Sequence, residues 1–290
     1  MKPIVITHCG AGSTHEVADA ASRAGRKGMA VLRRGGSALD AVVAATVVLE
    51  DDPRTNAGTG SRMRLDGTIQ MDAAVMDSRR RAGAVAAISD VRNPILIANK
   101  VMETPHIMLA GEWATRFARA HGFPAYDPAT EDARARLSAA RKEIRGKSVP
   151  TWARAWIPKA ATDTVGAVAR DGRGRFAAAS STGGISYMLP GRIGDSPIIG
   201  AGLYAGPDGA VTVTGVGEEI WRLVLSKSVY DRLADVGAEA ACDEGLRLFP
   251  KSVPIGIVAV GRDGVGEACN RDMAWWTNTR GGAVAKRTRE

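Results

Sequence analysis

Four short segments in the second half of this 290-residue chain concentrate threonine, glycine, arginine and aspartate: DTVGAV from Asp163, SSTGG from Ser180, PGRIGDSPIIGAGLYA from Pro190 and TGVGEE from Thr214. Thr164 opens a strand pattern directly after a charged, Ala-rich connection. Inside an intact chain its hydroxyl has no base of its own, because the amide nitrogen beside it is not basic. If the preceding peptide bond were cut, the freed α-amine, with a pKa of about 7.7 to 8.0, could serve as general base for the hydroxyl of the same residue. The glycines would allow close backbone approach and leave amide N–H groups for an oxyanion. Judged by spacing alone, turn glycines are the simpler reading of them.

Other chemistries find less support. His8, His15, His106 and His121 are too scattered for a metal site, and HExxH, CxxC, P-loop and GxSxG patterns are absent. Gly58 and Gly60 form a GxG that lacks the following helix a dinucleotide site requires. Cys9, Cys242 and Cys269 are far apart and read as reduced thiols. The net charge of +8 raises the question of nucleic acid. Its concentrations at Arg79, Arg80 and Arg81 and from Arg134 to Lys147 carry no interleaved aromatics or binding motif, so they read as solvated faces. With 45% hydrophobic and 24% charged residues the chain has the means to bury a core. The N-terminus lacks the apolar core of a secretory signal and no run is long enough to span a bilayer, so a soluble, cytoplasmic protein without membrane or nucleic-acid partners is expected.

The elements that must position those residues read as follows. A strand over Pro3 to Thr7 runs into the turn Cys9 to Gly12, and helices follow from about Glu16 to Arg34 and from Ser37, where Ser37 and Asp40 have capping-box spacing. Asp66-Gly67 predicts a hairpin between Arg62 to Leu65 and Thr68 to Met71. Gly83 to Ile88 is a strand, and Pro94 to Met102 and Trp113 to Arg119 are helices. Residues 127–163 read as a partly helical, mobile linker. Thr164 to Arg170 and Arg175 to Ser180 form a hairpin around Asp171 to Gly174, Val211 to Thr214 and Pro254 to Val260 are further strands, and Glu218 to Leu233 is a long helix. Runs of strands and helices without alternating crossovers argue for an α+β layered fold with largely antiparallel sheets.

The four segments, together with HCGAG at His8, LEDDPRTNAGTGS at Leu49, MDAAVMD at Met71, NPI at Asn93 and VMETPH at Val101, resemble in order and spacing the motifs of the isoaspartyl peptidase and plant-type L-asparaginase family of N-terminal-nucleophile hydrolases. The resemblance covers most of the chain. It implies a four-layer αββα sandwich in a single domain, made as a precursor that cuts itself between Asp163 and Thr164 into an α subunit 1–163 and a β subunit 164–290. It further implies a dimer of αβ units. Thr164 is then the nucleophile, Thr182 orients its hydroxyl, and Thr214 and Gly215 supply the oxyanion donors. Arg192 and Asp195 hold the α-carboxylate and α-ammonium of the substrate, as a fork of donors and an acceptor should, while Gly217 shapes the pocket. His8, Gly10 and Asn56 match positions that support self-cleavage. The implied activity is release of L-aspartate from β-aspartyl peptides and L-asparagine, with no cofactor required. The resemblance also implies a structural sodium ion on main-chain carbonyls of the loop Leu49 to Asn56.

Three residues depart from the family pattern: Cys9 where glycine is usual, Thr162 where His is common, and Met188 where Lys is common. Cys9 would add bulk to a crowded turn and slow processing. Two other readings stay open here: a glycosylasparaginase, whose family also has Asp before its nucleophile although TGVGE with Glu218 resembles the isoaspartyl branch, and an unprocessed, inactive relative acting as a basic binding protein.

Overall fold

Period-2 alternation along a few strands decides which side chains meet in the middle of this protein. The computed structural model describes residues 1–145 and 164–284. Strand β1 (Ile4–Ala11) is followed by helices α1 (Ala18–Arg33) and α2 (Ala38–Glu50), strands β2 (Met71–Asp77) and β3 (Ala82–Ile88), helix α3 (Pro94–Val101), strand β4 (Met108–Ala110), and helices α4 (Gly111–Ala120) and α5 (Glu131–Arg145). Then come β5 (Val165–Arg170), β6 (Phe176–Thr182), β7 (Leu203–Gly206), β8 (Gly209–Gly215), α6 (Gly217–Leu223), α7 (Leu225–Arg247), β9 (Ile255–Gly261), β10 (Val265–Cys269), β11 (Met273–Thr277) and β12 (Gly281–Val284).

The strands form two sheets. One has eight strands in the order β12-β11-β1-β5-β6-β2-β3-β4, and the other has four in the order β10-β9-β8-β7. Every strand pair is antiparallel except β3 with β4. In β1, Val5 and Cys9 join Ala20, Ala24 and Val42 of the helices in one core, while Ile4 and Ile6 join Leu203, Val258 and Val260 of the smaller sheet in a second. The same alternation sends Ala167 and Ala179 to the helical side and Val168 and Ala178 toward the other sheet. A third core sets Val211, Val213 and Ile257 of the smaller sheet against Leu225, Val229 and Leu233 of α7. Burial of such apolar side chains is the main favourable term holding the layers together.

Most elements lie where the pattern puts them, and the capping box at Ser37 and Asp40 is present in both directions. The exceptions have physical reasons. Asp66-Gly67 does turn the chain, with Arg64 N–H donating to Thr68 O at 2.8 Å and Gly67 N–H to Arg64 O at 3.0 Å, but no strands flank it. The hairpin of this region is instead β2–β3, whose first strand is buried along its whole length and therefore shows no polar alternation. The helix expected from Glu218 to Leu233 is broken by Val224 in the left-handed region (φ 48°), and α7 runs on to Arg247 past a non-helical Gly237. Among the described residues of 127–163, helix α5 contributes Leu137 to the large core and hydrogen bonds Leu65 O through Arg141.

Candidate active site

Thr164 sits one residue before β5, on the central hairpin of the larger sheet. Val165 is opposite Ser181 and Gly166 opposite Ser180, so continuing the register by one residue sets Thr164 against Thr182. Thr182 is in turn opposite Asp72 of β2. By strand parity these residues share the face turned toward the smaller sheet, where β8 brings up Thr212 and Thr214. Local alternation plus two registers thus assembles three threonines from distant parts of the chain.

The cleft at this point is walled by Thr164, Thr182, Arg192, Asp195, Gly215 and Gly217, with Gly184, Ile185, Gly194 and Ser196 completing it. Thr164 is 6% exposed and its Oγ1 lies 3.4 Å from Ser196 Oγ. Thr182 Oγ1 accepts from Gly184 N–H at 3.0 Å. Thr214 is fully buried beside Gly215, and its Oγ1 accepts from Ala11 N–H at 3.1 Å, which leaves the hydroxyl proton to be donated.

Arg192 is held side-on by Glu218: Nε donates to Oε1 at 2.8 Å and Nη2 to Oε2 at 2.9 Å. Its Nη1 lies 3.6 Å from Met188 Sδ, so the end of the guanidinium faces nothing stronger than a thioether. Asp195 is 3% exposed, and its Oδ2 has no hydrogen-bond partner among the described residues. Burial pushes its carboxyl up to about 7, with Arg192 opposing the shift and Glu218 and Asp72 adding to it. Gly217 passes directly over this pair, for a Cβ there would lie 2.8 Å from Asp195 Oδ1 and 2.9 Å from Arg192 Nη2.

The three residues read as supporting self-cleavage do not line the cleft; they stand around it. His8 pairs with Gly166, and burial takes its imidazole down to about 3, so the ring is neutral at physiological pH even though the nearby Thr164 backbone favours the cation. Neither ring nitrogen makes a well-aligned hydrogen bond among the described residues. Gly10 (φ 108°) accepts from Ser13 N–H and Oγ, holding the turn whose next residue, Ala11, bonds Thr214. Asn56 fixes the segment after Thr182: its Nδ2 donates to Gly184 O at 2.6 Å and its own carbonyl accepts from Gly183 N–H at 2.8 Å. Cys9 points to the helical side, with Sγ 3.6 Å from Val17 O, on the opposite face of β1 from His8. Asp163 and Thr162 lie outside the described residues.

A Cβ on Gly166 would come within 2.4 Å of His8 Nε2 and 2.8 Å of Thr212 Oγ1. Gly166→Ala is therefore expected to destabilise the fold by about 1–3 kcal/mol, read from denaturant unfolding, and an unchanged midpoint would show that the ring moves aside without cost.

Sequence reasoning missed Ser196, adjacent to Asp195 in the same motif, and the partnership of Glu218 with Arg192, whose only local signal was an acid directly after Gly217. Buried Arg64, in a loop, and Asp72, in β2, were missed as well, since neither charge gives a local sign that it will be buried.

Threonine hydroxyls thus converge with the partly buried Arg192 and the buried Asp195 on one cleft, and the comparisons with known proteins place the chain in a family. A family model described as Asparaginase matches residues 1–286. The chain is 42% identical over 285 residues to the plant-type L-asparaginase of Pyrococcus abyssi, with 92% of each chain covered. It is 42% identical over 239 residues to the isoaspartyl peptidase/L-asparaginase of Homo sapiens, covering 78% of this chain and 75% of that one. To the Xenopus laevis protein of the same description it is 41% identical over 265 residues, covering 87% and 83%. This chain belongs to the asparaginase family.

Among the described residues no helix is long and apolar enough to cross a membrane, and no group of three or more His, Cys, Asp or Glu side chains could hold a metal ion.

Proposed function

We propose that this protein is an amidohydrolase that releases L-aspartate from β-aspartyl peptides and from L-asparagine, with Thr164 as its nucleophile after cleavage of the Asp163–Thr164 bond. One observation carries the reading: Thr164 faces Thr182 across the hairpin while Arg192 and Asp195 stand on the wall of the same cleft. The names of the relatives point to the same substrates.

In this account the Arg192 guanidinium takes the substrate α-carboxylate and Asp195 accepts from its α-ammonium. Thr164 Oγ1 attacks the side-chain carbonyl carbon and passes its proton to the freed α-amine, which delivers it to the departing amine. The tetrahedral oxyanion is met by the Thr214 hydroxyl and the Gly215 N–H, and water then releases L-aspartate from the ester. A neutral His8 next to Thr164 adds no positive charge that would oppose proton uptake by the amine.

The same proposal includes the four-layer αββα arrangement, supported by the three successive cores, and a processed dimer of αβ units divided at residues 163 and 164. Its cytoplasmic setting rests on the sequence alone. A structural sodium ion would be held by main-chain carbonyls of the Leu49 to Asn56 loop. The oxygens of Glu50, Pro53 and Thr55 crowd the glycine turn that follows, where a Cβ at Gly58 would lie 2.4 Å from Glu50 O and one at Gly60 2.3 and 2.8 Å from Pro53 O and Thr55 O. Such hard donors suit a hard cation whose part is structural.

The test is a product assay: purified protein incubated with a β-aspartyl dipeptide, L-asparagine and a glycosylated asparagine, with L-aspartate measured. Release from the first two supports the proposal, and strong preference for the glycosylated substrate overturns the choice of leaving group. A pH dependence follows from Asp195. Because the ammonium needs an ionised acceptor and burial holds this carboxyl up to about 7, KM should rise as pH falls below that value. A KM flat between pH 5.5 and 8 would remove Asp195 from this part.

A further inference from the structure

Behind the substrate grip lies a second set of charges that the proposed mechanism does not use. Arg64 is 0% exposed and Asp72 1% exposed, which is rare for charged residues. Each carries atoms without a hydrogen-bond partner among the described residues: Nε and Nη1 of Arg64, and Oδ2 of Asp72. The third such group here is Asp195 itself, through Oδ2. The remaining contacts tie this set to the loop bearing Arg192 and Asp195. Arg64 Nη2 donates to Gln70 O at 3.0 Å, and the Gln70 side chain accepts from Gly191 N–H at 2.6 Å. Asp72 Oδ1 accepts from Ala87 N–H at 2.7 Å, and the Gly194 N–H favours the charged form of the same carboxyl. Arg64 also approaches the cleft wall, since a Cβ on Gly184 would lie 3.5 Å from its Nη1.

Removing charges from water is costly, and unsatisfied buried charges persist in a fold only when something offsets them. Here the offset is mutual. The cations Arg64 and Arg192 and the acids Asp72, Asp195 and Glu218 act on one another, and a bound ammonium would sit as the counter-charge of Asp195.

We propose that Arg64 and Asp72 are positioning residues for substrate recognition, a buried pair of opposite charges that braces the Gly191–Asp195 turn from behind and governs whether Asp195 is charged when substrate arrives. The proposal rests on the aspartyl-binding reading of the cleft. Its electrostatics have defined signs. Burial raises Asp72 to about 6, with the Arg64 charge opposing the rise, and the Asp72 charge in turn disfavours ionisation of Asp195. Removing Arg64 takes away a charge that opposes the rise of Asp72, so Asp72 goes neutral more readily and repels Asp195 less. Removing the Asp72 charge relieves the repulsion. The groups facing Asp195 are Arg192, Glu218, Asp72 and, after cleavage, the α-amine of Thr164 in the same cleft.

The experiment is calorimetric binding of L-aspartate to the processed protein between pH 5 and 8.5, which reads Asp195 without requiring turnover. In Asp72→Asn, which keeps an acceptor for Ala87, the pH below which affinity is lost should move downward by about one unit, and in Arg64→Gln, where Asp72 goes neutral more readily, it should move the same way by less. Arg64→Lys should restore the wild-type profile. A shift along the pH axis is the signature, because loss of a merely structural brace would lower affinity at every pH in both variants. Profiles that stay put, or move upward, overturn the proposal. If Arg64→Gln does not fold, the Asp72→Asn profile decides: a downward shift supports the proposal and its absence overturns it. Wild-type protein that binds no L-aspartate at any pH would instead contradict the functional reading itself.

Discussion

Thr164→Ala should remain a single uncut chain and lose hydrolysis of a β-aspartyl dipeptide by about 10⁴-fold or more, the scale on which removal of a nucleophile acts. The loss should not come from misfolding. The Thr164 hydroxyl has one long contact, 3.4 Å to Ser196, and removing so weak a bond costs no more than about 1 kcal/mol. A melting curve close to wild type would accompany the inactivity. Thr164→Ser keeps both a hydroxyl and, after cleavage, an α-amine, so it should retain processing and measurable turnover. Hydrolysis by Thr164→Ala at more than a hundredth of the wild-type rate would place the nucleophile elsewhere.

The second large effect concerns the grip. Arg192→Lys exchanges a planar fork for a point charge and also loses the side-on pair with Glu218, so kcat/KM should fall by about 10²- to 10³-fold. Asp195→Asn keeps an acceptor of similar shape but not its charge, and a fall of about 10²-fold is expected. The two variants should differ in a diagnostic way. Wild-type protein should favour L-asparagine strongly over succinamate, which lacks the α-amine. Asp195→Asn should erase much of that preference, while Arg192→Lys should weaken both substrates and leave the preference in place. An undiminished preference in Asp195→Asn would mean that the ammonium is read by another group.

Much of this was legible before any coordinates. The capping box at Ser37, the β5–β6 hairpin around Asp171-Gly172 and the strand after the charged connection are signals contained within a few residues, and each is present in the structure. The resemblance picked out Thr164, Thr182, Arg192, Asp195, Gly215 and Gly217, all of which line the cleft, because each lies within a short motif. What could not be read depends on pairings far apart in the chain. MDAAVMD is a strand buried on both faces, so it lacks the alternation that marks a half-exposed one. The break at Val224 lies beside Gly200, where a Cβ would be 3.0 Å from the valine, and nothing in the local composition announces it. Arg64 lies beside a strong turn signal and was read as part of a hairpin. Its burial becomes evident only once Gln70, Asp72 and the Gly191–Asp195 turn are brought together.

Cys9 shows the same limit from the other side. As a departure in a crowded turn it was expected to slow processing, yet strand parity turns its side chain toward Val17 and away from the His8 face. The substitution adds bulk to the helical core and none to the cleft.

The central claim is that Thr164 becomes an N-terminal residue, and the most direct measurement is the mass of the purified protein under denaturing conditions, followed over days at neutral pH with N-terminal sequencing of each fragment. Two pieces, one beginning Thr164-Val165-Gly166, are the predicted result. A chain that stays whole while hydrolysing a β-aspartyl dipeptide, or a fragment that begins at any other residue, would contradict it.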